Sequence, residues 1–141
     1  MRTVLDSCVA IKFVLKEDGS DAANKLREEF RHGLHEFLAP DVFIAEVSHA
    51  LTRGERKNII PVGEAANLIA DILTTLPTLE ATLSLLPRAM ELASKYRCGF
   101  YDCLYVSLAE KEQCQFVTSD QKLIDTFQKD FPNIVDLADL P

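Results

Sequence analysis

Short apolar runs alternate along the chain with longer stretches in which apolar residues recur every three or four positions. The short runs predict strands, and the longer stretches predict amphipathic helices. The predicted strands cover residues 3–5, 37–39, 78–82, 115–118 and 134–135. Because a helical stretch separates each strand from the next, the pattern predicts a three-layer α/β/α sandwich with a mainly parallel central sheet.

The predicted helices begin and end at recognisable capping and breaking residues. Ser20 and Asp41 are suited to be N-caps, Pro40 is expected to stop the second strand, and Gly54 is expected to end the helix that begins at Asp41. The predicted helices cover residues 9–15, 20–32, 41–54, 62–73, 84–96, 101–112 and 122–127.

Length and composition add limits to this picture. A chain of 141 residues with 48% hydrophobic content and no long Gly, Pro or Ser tract is expected to form a single domain over residues 1–141. Its apolar stretches are shorter than a membrane span requires, and its first residues are too short an apolar run for a signal peptide, so we expect a soluble cytoplasmic protein. The four cysteines form no CxxC pair and are expected to be buried free thiols.

Four acidic residues stand at the ends or inner faces of separate predicted elements. Asp6 closes the first strand, Glu46 lies within the helix over 41–54, Asp102 opens the helix over 101–112, and Asp120 follows the strand over 115–118. Apolar residues flank each of them, and an unpaired carboxylate is costly to desolvate there. Because functional residues gather at the carboxyl ends of parallel strands, we interpret the four as one divalent-metal site.

Carboxylate oxygens suit Mg²⁺ or Mn²⁺, and such ions support hydrolysis of a phosphodiester by a bound water. The net charge of −7 argues against a surface that attracts nucleic acid as a whole. A bound metal ion reverses the charge locally, so an acidic protein could still bind a polyanion at this site.

Four segments of the chain then carry a resemblance. The segments VLDSCVAIKF, DVFIAEVSHAL, YDCLYVSLAE and FVTSDQKL are similar, in this order, to the four motif regions of PIN-domain ribonucleases, especially VapC toxins of toxin-antitoxin pairs. The resemblance spans nearly the whole chain and implies a parallel-sheet α/β/α sandwich. It also implies a metal-dependent endoribonuclease with RNA as substrate, an antitoxin protein as partner, and a homodimer.

The resemblance assigns roles residue by residue. Asp6, Glu46, Asp102 and Asp120 match the family's acids, which hold Mg²⁺ or Mn²⁺ or position the attacking water. Ser7 and Thr118 match hydroxyl positions that support the first and last acids. Arg53, Arg56 and Lys57, after the Glu46 helix, could contact RNA phosphates or could be a solvated helix end.

Each acid also has a simpler interpretation, which the sequence leaves open. Asp6, Asp102 and Asp120 could be helix caps or dipole partners, and Glu46 could be solvated at its helix edge. The next acid after Asp120 is Asp125, which leaves a second metal ion in doubt.

Two other functions compete with the nuclease. One is a PIN-fold module that binds protein or RNA with little nuclease activity. The other is an aspartyl-phosphate phosphatase with Asp6 as nucleophile, which lacks the usual DxD pair because Cys8 occupies the second acid's position.

Overall fold

The computed structural model describes residues 1–141 and contains five strands and seven α-helices. The strands are β1 (Arg2–Leu5), β2 (Glu36–Pro40), β3 (Thr78–Glu80), β4 (Gln115–Thr118) and β5 (Ile134–Asp136). The helices are α1 (Ser7–Ile11), α2 (Ser20–Arg31), α3 (Val42–Arg56), α4 (Glu64–Leu73), α5 (Thr82–Tyr96), α6 (Phe100–Glu112) and α7 (Gln121–Phe127). A short 3₁₀ helix (Leu137–Asp139) follows β5.

All strand pairs are parallel, and the strand order is β3-β2-β1-β4-β5. This confirms the predicted α/β sandwich. The first strand lies at the centre, with Val4 opposite Leu38 of β2 and Phe116 of β4. Since every strand runs in the same direction, the residues that follow β1, β2 and β4 emerge at one edge of the sheet.

The most deeply buried helix is α6. Seven consecutive residues, from Cys103 to Ala109, are buried, so this helix has no broad polar face in its centre. Tyr105 stacks on Phe116 of the adjacent β4 at a centroid distance of 5.5 Å. A helix that is apolar on all sides packs between other layers, and this places the first turn of α6, which carries Asp102, against the carboxyl edge of the sheet.

The predicted element boundaries are close to the observed ones, with four corrections. The first helix begins at Ser7 and ends at Ile11, earlier than the predicted 9–15. Pro40 does not stop β2 but is its last residue, paired with Glu80. Gly54 lies inside α3, two residues before its end, where the side chain of Ile60 packs over it.

The fourth correction concerns two predicted N-caps. Ser20 is the first residue of α2 and Gly19 is the cap, because the backbone there has φ +89°, a conformation that glycine adopts without strain. The Ser20 hydroxyl donates to the Leu15 carbonyl at 2.8 Å instead. Asp41 precedes α3 without capping it, and its Oδ1 accepts from the Thr82 backbone N–H and hydroxyl at the start of α5.

All four cysteines are free thiols, but only Cys103 is buried and the others are partly exposed. The expectation of buried thiols is therefore right for one of the four. None of the helices is both long and apolar enough to cross a membrane.

Candidate active site

Asp6 directly follows the last residue of β1 and is buried at the carboxyl edge of the sheet. Its backbone N–H donates to the Val117 carbonyl at 3.1 Å, which continues the β1–β4 pairing by one residue. Its Oδ2 accepts the Thr118 hydroxyl at 2.6 Å, while Oδ1 has only a long contact of 3.4 Å with the Ser7 hydroxyl. Asp6 stands at the N-cap position of α1, yet its side chain makes no capping hydrogen bond. The cap interpretation therefore does not explain this acid.

Burial raises the pKa of the Asp6 carboxyl, and this effect outweighs the hydrogen bonds that lower it. The nearby negative charge of Asp120 raises it further. A buried carboxylate normally keeps its charge through a cationic partner, and Asp6 has no such partner in the chain.

Glu46 reaches the same region from the first half of α3. Its Oε1 accepts the Tyr105 hydroxyl at 2.7 Å, which joins α3 to the central helix α6. Burial raises the pKa of Glu46 and the charge of Asp6 adds to the effect, whereas the Tyr105 hydrogen bond lowers it. Glu46 is thus anchored in the structure and is not a freely solvated residue at a helix edge.

Asp102 is the third residue of α6, and Gly99 occupies the N-cap position of that helix. No side-chain hydrogen bond caps this helix, so Asp102 has at most a dipole role there. Burial, followed by the charges of Asp6, Asp120 and Glu46, raises the pKa of Asp102 to about 6, and Lys122 opposes the rise. The three other acids therefore lie close enough to act on Asp102 electrostatically.

Asp120 is a true helix cap. Its Oδ1 accepts the backbone N–H groups of Lys122 and Leu123 at 3.0 and 3.3 Å, which fixes the start of α7. The cap interpretation is therefore correct for Oδ1, whereas Oδ2 accepts no capping hydrogen bond. The Asp120 backbone N–H donates to the Thr118 hydroxyl at 3.0 Å, so this hydroxyl connects Asp120 to Asp6.

A shallow cleft of about 300 Å³ opens beside the acids. Glu46 and Asp102 line it together with Gly99, Phe100 and Tyr101. The first turn of α6 therefore forms most of the cleft wall. Tyr101 is 58% exposed at its mouth and offers an aromatic face to solvent.

The chemistry of these donors fits a hard divalent cation. None of the four acids forms an ion pair with Lys, Arg or His, although burial and mutual repulsion raise the pKa of three of them, those of Asp6, Glu46 and Asp102. No buried side-chain nitrogen or oxygen lacks a hydrogen-bond partner, so the carboxylate oxygens without protein partners are open to solvent. Mg²⁺ accepts such oxygens together with waters.

The acids are not drawn together into a coordination shell. No group of three or more His, Cys, Asp or Glu side chains lies close enough to hold one metal ion. Hydrogen bonds explain this spacing, because Thr118, Tyr105 and the start of α7 each hold an acid in place. The structure brings the four predicted acids into one electrostatic neighbourhood at the predicted edge, and a single metal ion would contact them all only after side-chain movement or through water.

Sequence reasoning missed one residue of this site, Tyr105. The signal was present, because Tyr105 follows Asp102 by three positions and so lies near it on the same side of α6. Ser7 and Thr118 occupy the expected hydroxyl positions beside Asp6. Arg53, Arg56 and Lys57 are exposed and form no ion pair.

Comparison with known proteins identifies the family of this chain. The family model of the PIN domain matches residues 3–129. Ribonuclease VapC3 of Pyrobaculum aerophilum is 26% identical over 129 residues, which cover 90% of this chain and 95% of that protein.

Two crystal structures share the fold. PAE2754 from Pyrobaculum aerophilum aligns with a TM-score of 0.70 at 21% identity, covering 98% of this chain and 93% of the other. VapBC2 from Rickettsia felis, bound to a DNA fragment from their promoter, aligns with a TM-score of 0.67 at 17% identity, covering 96% of this chain and 97% of the other. By its matched length, its strand order and the order of its motifs, the chain belongs to the PIN domain family.

Proposed function

We propose that this protein is a metal-dependent endoribonuclease that hydrolyses RNA phosphodiester bonds with Mg²⁺ or Mn²⁺. One observation carries the proposal: four carboxylates from β1, α3, α6 and the β4–α7 junction act on one another electrostatically, none of them forms an ion pair, and Lys122 only partly opposes the rise in the pKa of Asp102. Such an arrangement is unfavourable unless a cation or a proton compensates it. Similarity to Ribonuclease VapC3 supports the same reaction class.

Each residue contributes a distinct part to the proposed reaction. Asp6, Glu46, Asp102 and Asp120 hold the ion directly or through water, and Thr118 and Tyr105 fix the orientation of Asp6 and Glu46. A bound Mg²⁺ or Mn²⁺ supplies charge neutralisation and an activated water.

Asp102 gains most from a bound cation. In the metal-free protein, burial and the charges of the other acids raise its pKa to about 6, and a divalent ion would stabilise the carboxylate and lower that pKa. The exposed cations Arg53, Arg56 and Lys57 are the proposed contacts to RNA phosphates.

The proposed biological role is the toxin of a type II toxin-antitoxin pair, with an antitoxin protein as partner and a homodimer as the active assembly. The likeness in fold to VapBC2, together with the similarity to VapC3, supports this role. A monomer mass at micromolar concentration in light scattering would contradict the dimer.

A PIN-fold binding module is the second candidate. The wide spacing of the four acids favours it, since no three of them lie within reach of one ion. A binding module need not take up a divalent ion in this pocket, so titration of the protein with Mn²⁺ separates the two candidates.

The test of the nuclease is cleavage of a mixed tRNA and ribosomal RNA panel with Mg²⁺, with Mn²⁺ and with chelator. Wild type is compared with Asp6→Asn and Asp120→Asn, and with Asp125→Asn as a matched control on the exposed side of α7. We expect metal-dependent cleavage by wild type and Asp125→Asn only. Cleavage that survives both site substitutions would rule out the proposed site.

A further inference from the structure

Two free thiols lie in contact at the start of the central helix. The Sγ atoms of Cys98 and Cys103 are 3.4 Å apart, and no other pair of the chain's cysteines is in contact. Cys98 lies just before the N-cap residue of α6 and is partly exposed, while Cys103 is in the first turn of α6 and is buried. A disulfide has an S–S distance of about 2.0 Å, so a short approach of the two sulfurs would complete the bond.

The segment between these thiols coincides with the wall of the acidic cleft. Gly99, Phe100, Tyr101 and Asp102 are the four residues enclosed by the pair, and each of them lines the cleft; Glu46 is the remaining lining residue. Closing a bond between positions 98 and 103 would therefore act on the cleft wall and on one of the four acids.

We propose that Cys98 and Cys103 form a redox modification site, at which a peroxide converts the dithiol to a disulfide and alters the acidic cleft. The Cys98 thiolate attacks the O–O bond of the peroxide, which leaves a sulfenic acid on Cys98 and releases water or an alcohol. The Cys103 thiol then attacks the Cys98 sulfur and gives up its proton; the S–S bond forms, the S–O bond breaks, and the hydroxyl leaves with that proton as a second water. Two thiols are oxidised and one peroxide is reduced, so atoms and electrons balance.

Because Cys98 is partly exposed and Cys103 is buried, we assign the reaction with peroxide to Cys98 and the second attack to Cys103. Cys98 is reached from solvent and is flanked by the exposed Arg97 and Gly99, so it meets the peroxide first. Cys103 is fixed in the core, and its backbone carbonyl accepts the Ser107 hydroxyl at 2.7 Å. The segment around Cys98 therefore moves toward Cys103, and residues 99–102 move with it. Transient disulfides of this kind serve regulation in reducing compartments.

The protein's tryptic sites make the bond simple to detect. Cleavage after Arg97 and Lys111 releases residues 98–111, which contain Cys98 and Cys103 and no other cysteine. Cys8 and Cys114 fall in two other peptides. The folded protein is treated with hydrogen peroxide, its free thiols are alkylated under denaturing conditions, and the peptides are analysed by mass spectrometry.

We expect peptide 98–111 to lose two hydrogen atoms, to take up no alkylating reagent, and to return to the dithiol after dithiothreitol. Cys98→Ser removes this product, and Cys114→Ser, the matched control, leaves it unchanged. The proposal is overturned if Cys98 stays reduced while Cys114 is oxidised, if Cys98 proceeds to sulfinic acid, or if the bond links two chains.

The effect on the cleft is measured separately, by amide hydrogen exchange over residues 99–102 in the reduced and oxidised protein. Exchange is expected to change there and to stay the same in β5; an unchanged pattern overturns this half of the proposal. A further consequence rests on the proposed nuclease: cleavage should fall at least tenfold on oxidation of wild type and remain constant in Cys98→Ser. If reduced wild type cleaves no RNA, the nuclease proposal fails. The peptide masses and the amide hydrogen exchange still test the modification site, because neither depends on cleavage.

Discussion

Buried charge is compensated differently in two regions of this molecule. Between α2 and the end of α4, Arg27 is 3% exposed, and its guanidinium donates to Thr75 Oγ1 at 2.8 Å, to the Asp71 carbonyl at 2.6 Å and to Asp71 Oδ1 at 3.0 Å. It also lies over the ring of Phe13 at 4.9 Å. At the carboxyl edge of the sheet, Asp6 is nearly as buried, and its carboxylate has only neutral partners, the hydroxyls of Thr118 and Ser7 and the thiol and backbone N–H of Cys8.

We interpret the difference as one between a charge that stabilises the fold and the charge of the proposed metal site. The chain surrounds Arg27 with acceptors, so this charge stabilises the fold without help. Asp6 has no cation beside it, and the negative charge of Asp120 adds to the cost of ionising it. A site that depends on an external cation is expected to have this second arrangement.

The largest expected effect is on metal affinity at the acidic edge. Asp6→Asn should reduce Mn²⁺ affinity by more than about 100-fold, because loss of mere outer-shell partners already costs 10- to 100-fold. Without metal, its free energy of unfolding should not fall, since Asn still accepts the Thr118 hydroxyl and carries no buried charge. Titration calorimetry measures the first quantity and urea unfolding the second. An Asp6→Asn variant that binds Mn²⁺ with the affinity of wild type would show that the buried charge of Asp6 does not serve metal binding.

The opposite outcome is expected between α2 and α4. Arg27→Met should lower the free energy of unfolding by about 3 kcal/mol, because the buried Thr75 hydroxyl and the Asp71 carbonyl lose their donor and the ion pair with Asp71 is lost. Mn²⁺ affinity should be unchanged. Arg31→Met is the control, since Arg31 pairs with Glu28 on the surface and such pairs contribute little. Equal unfolding free energies for the two variants would show that Arg27 is not structural.

A smaller effect is expected from Tyr105→Phe. Loss of the 2.7 Å hydrogen bond frees the Glu46 carboxylate to rotate, so Mn²⁺ affinity should fall by roughly 10-fold. Tyr101→Phe, which removes an exposed hydroxyl from the cleft mouth, is the matched control and should bind like wild type. Equal affinity in the two variants would remove Tyr105 from the site.

The last expected effect is a pH dependence, which develops only gradually over the acidic range. The pKa of Asp102 is about 6 in the folded protein and about 3.9 when unfolded, so folding takes up a proton between these values. The contribution of Asp102 to the free energy of unfolding is fully present below a pH of about 3.9, and it is lost as the pH rises through about 6.

Asp102→Asn removes this dependence. Its metal-free free energy of unfolding should therefore increase relative to wild type as pH rises from about 4 to about 6. Mn²⁺ affinity of wild type should fall below pH of about 6, where the proton competes with the ion. A constant stability difference between the two proteins over that range would contradict the raised pKa.

Most of the fold could be predicted because periodicity and burial agree. The prediction of the strand at Gln115–Thr118 is correct to the residue. A short run of aromatic and β-branched residues between polar ends is typical of a strand and too short for a helix. Ser20 was wrong as a cap because the preceding glycine, with its positive φ, takes that position. The sequence gives no backbone angle, so two adjacent candidates could not be separated.

The location of the four acids was predictable and their spacing was not. All four lie at one edge of the sheet, as their positions after strands and on helices indicated, and their role as metal ligands stays a prediction. Their spacing depends on the partners Thr118, Tyr105 and the α7 amides, which are contacts between distant segments. The burial of Arg27 could not be predicted for the same reason, because its acceptors lie more than 40 residues away along the chain.

The central position of β1 has a consequence for protein synthesis. Asp6 is made before β4, its neighbour on one side, and the Thr118 hydroxyl that it accepts is encoded 112 residues later. Asp120 follows later still. A nascent chain that ends before β4 therefore contains Asp6, Glu46 and Asp102 but lacks Asp120 and the Thr118 hydroxyl, so it cannot form the complete acidic edge.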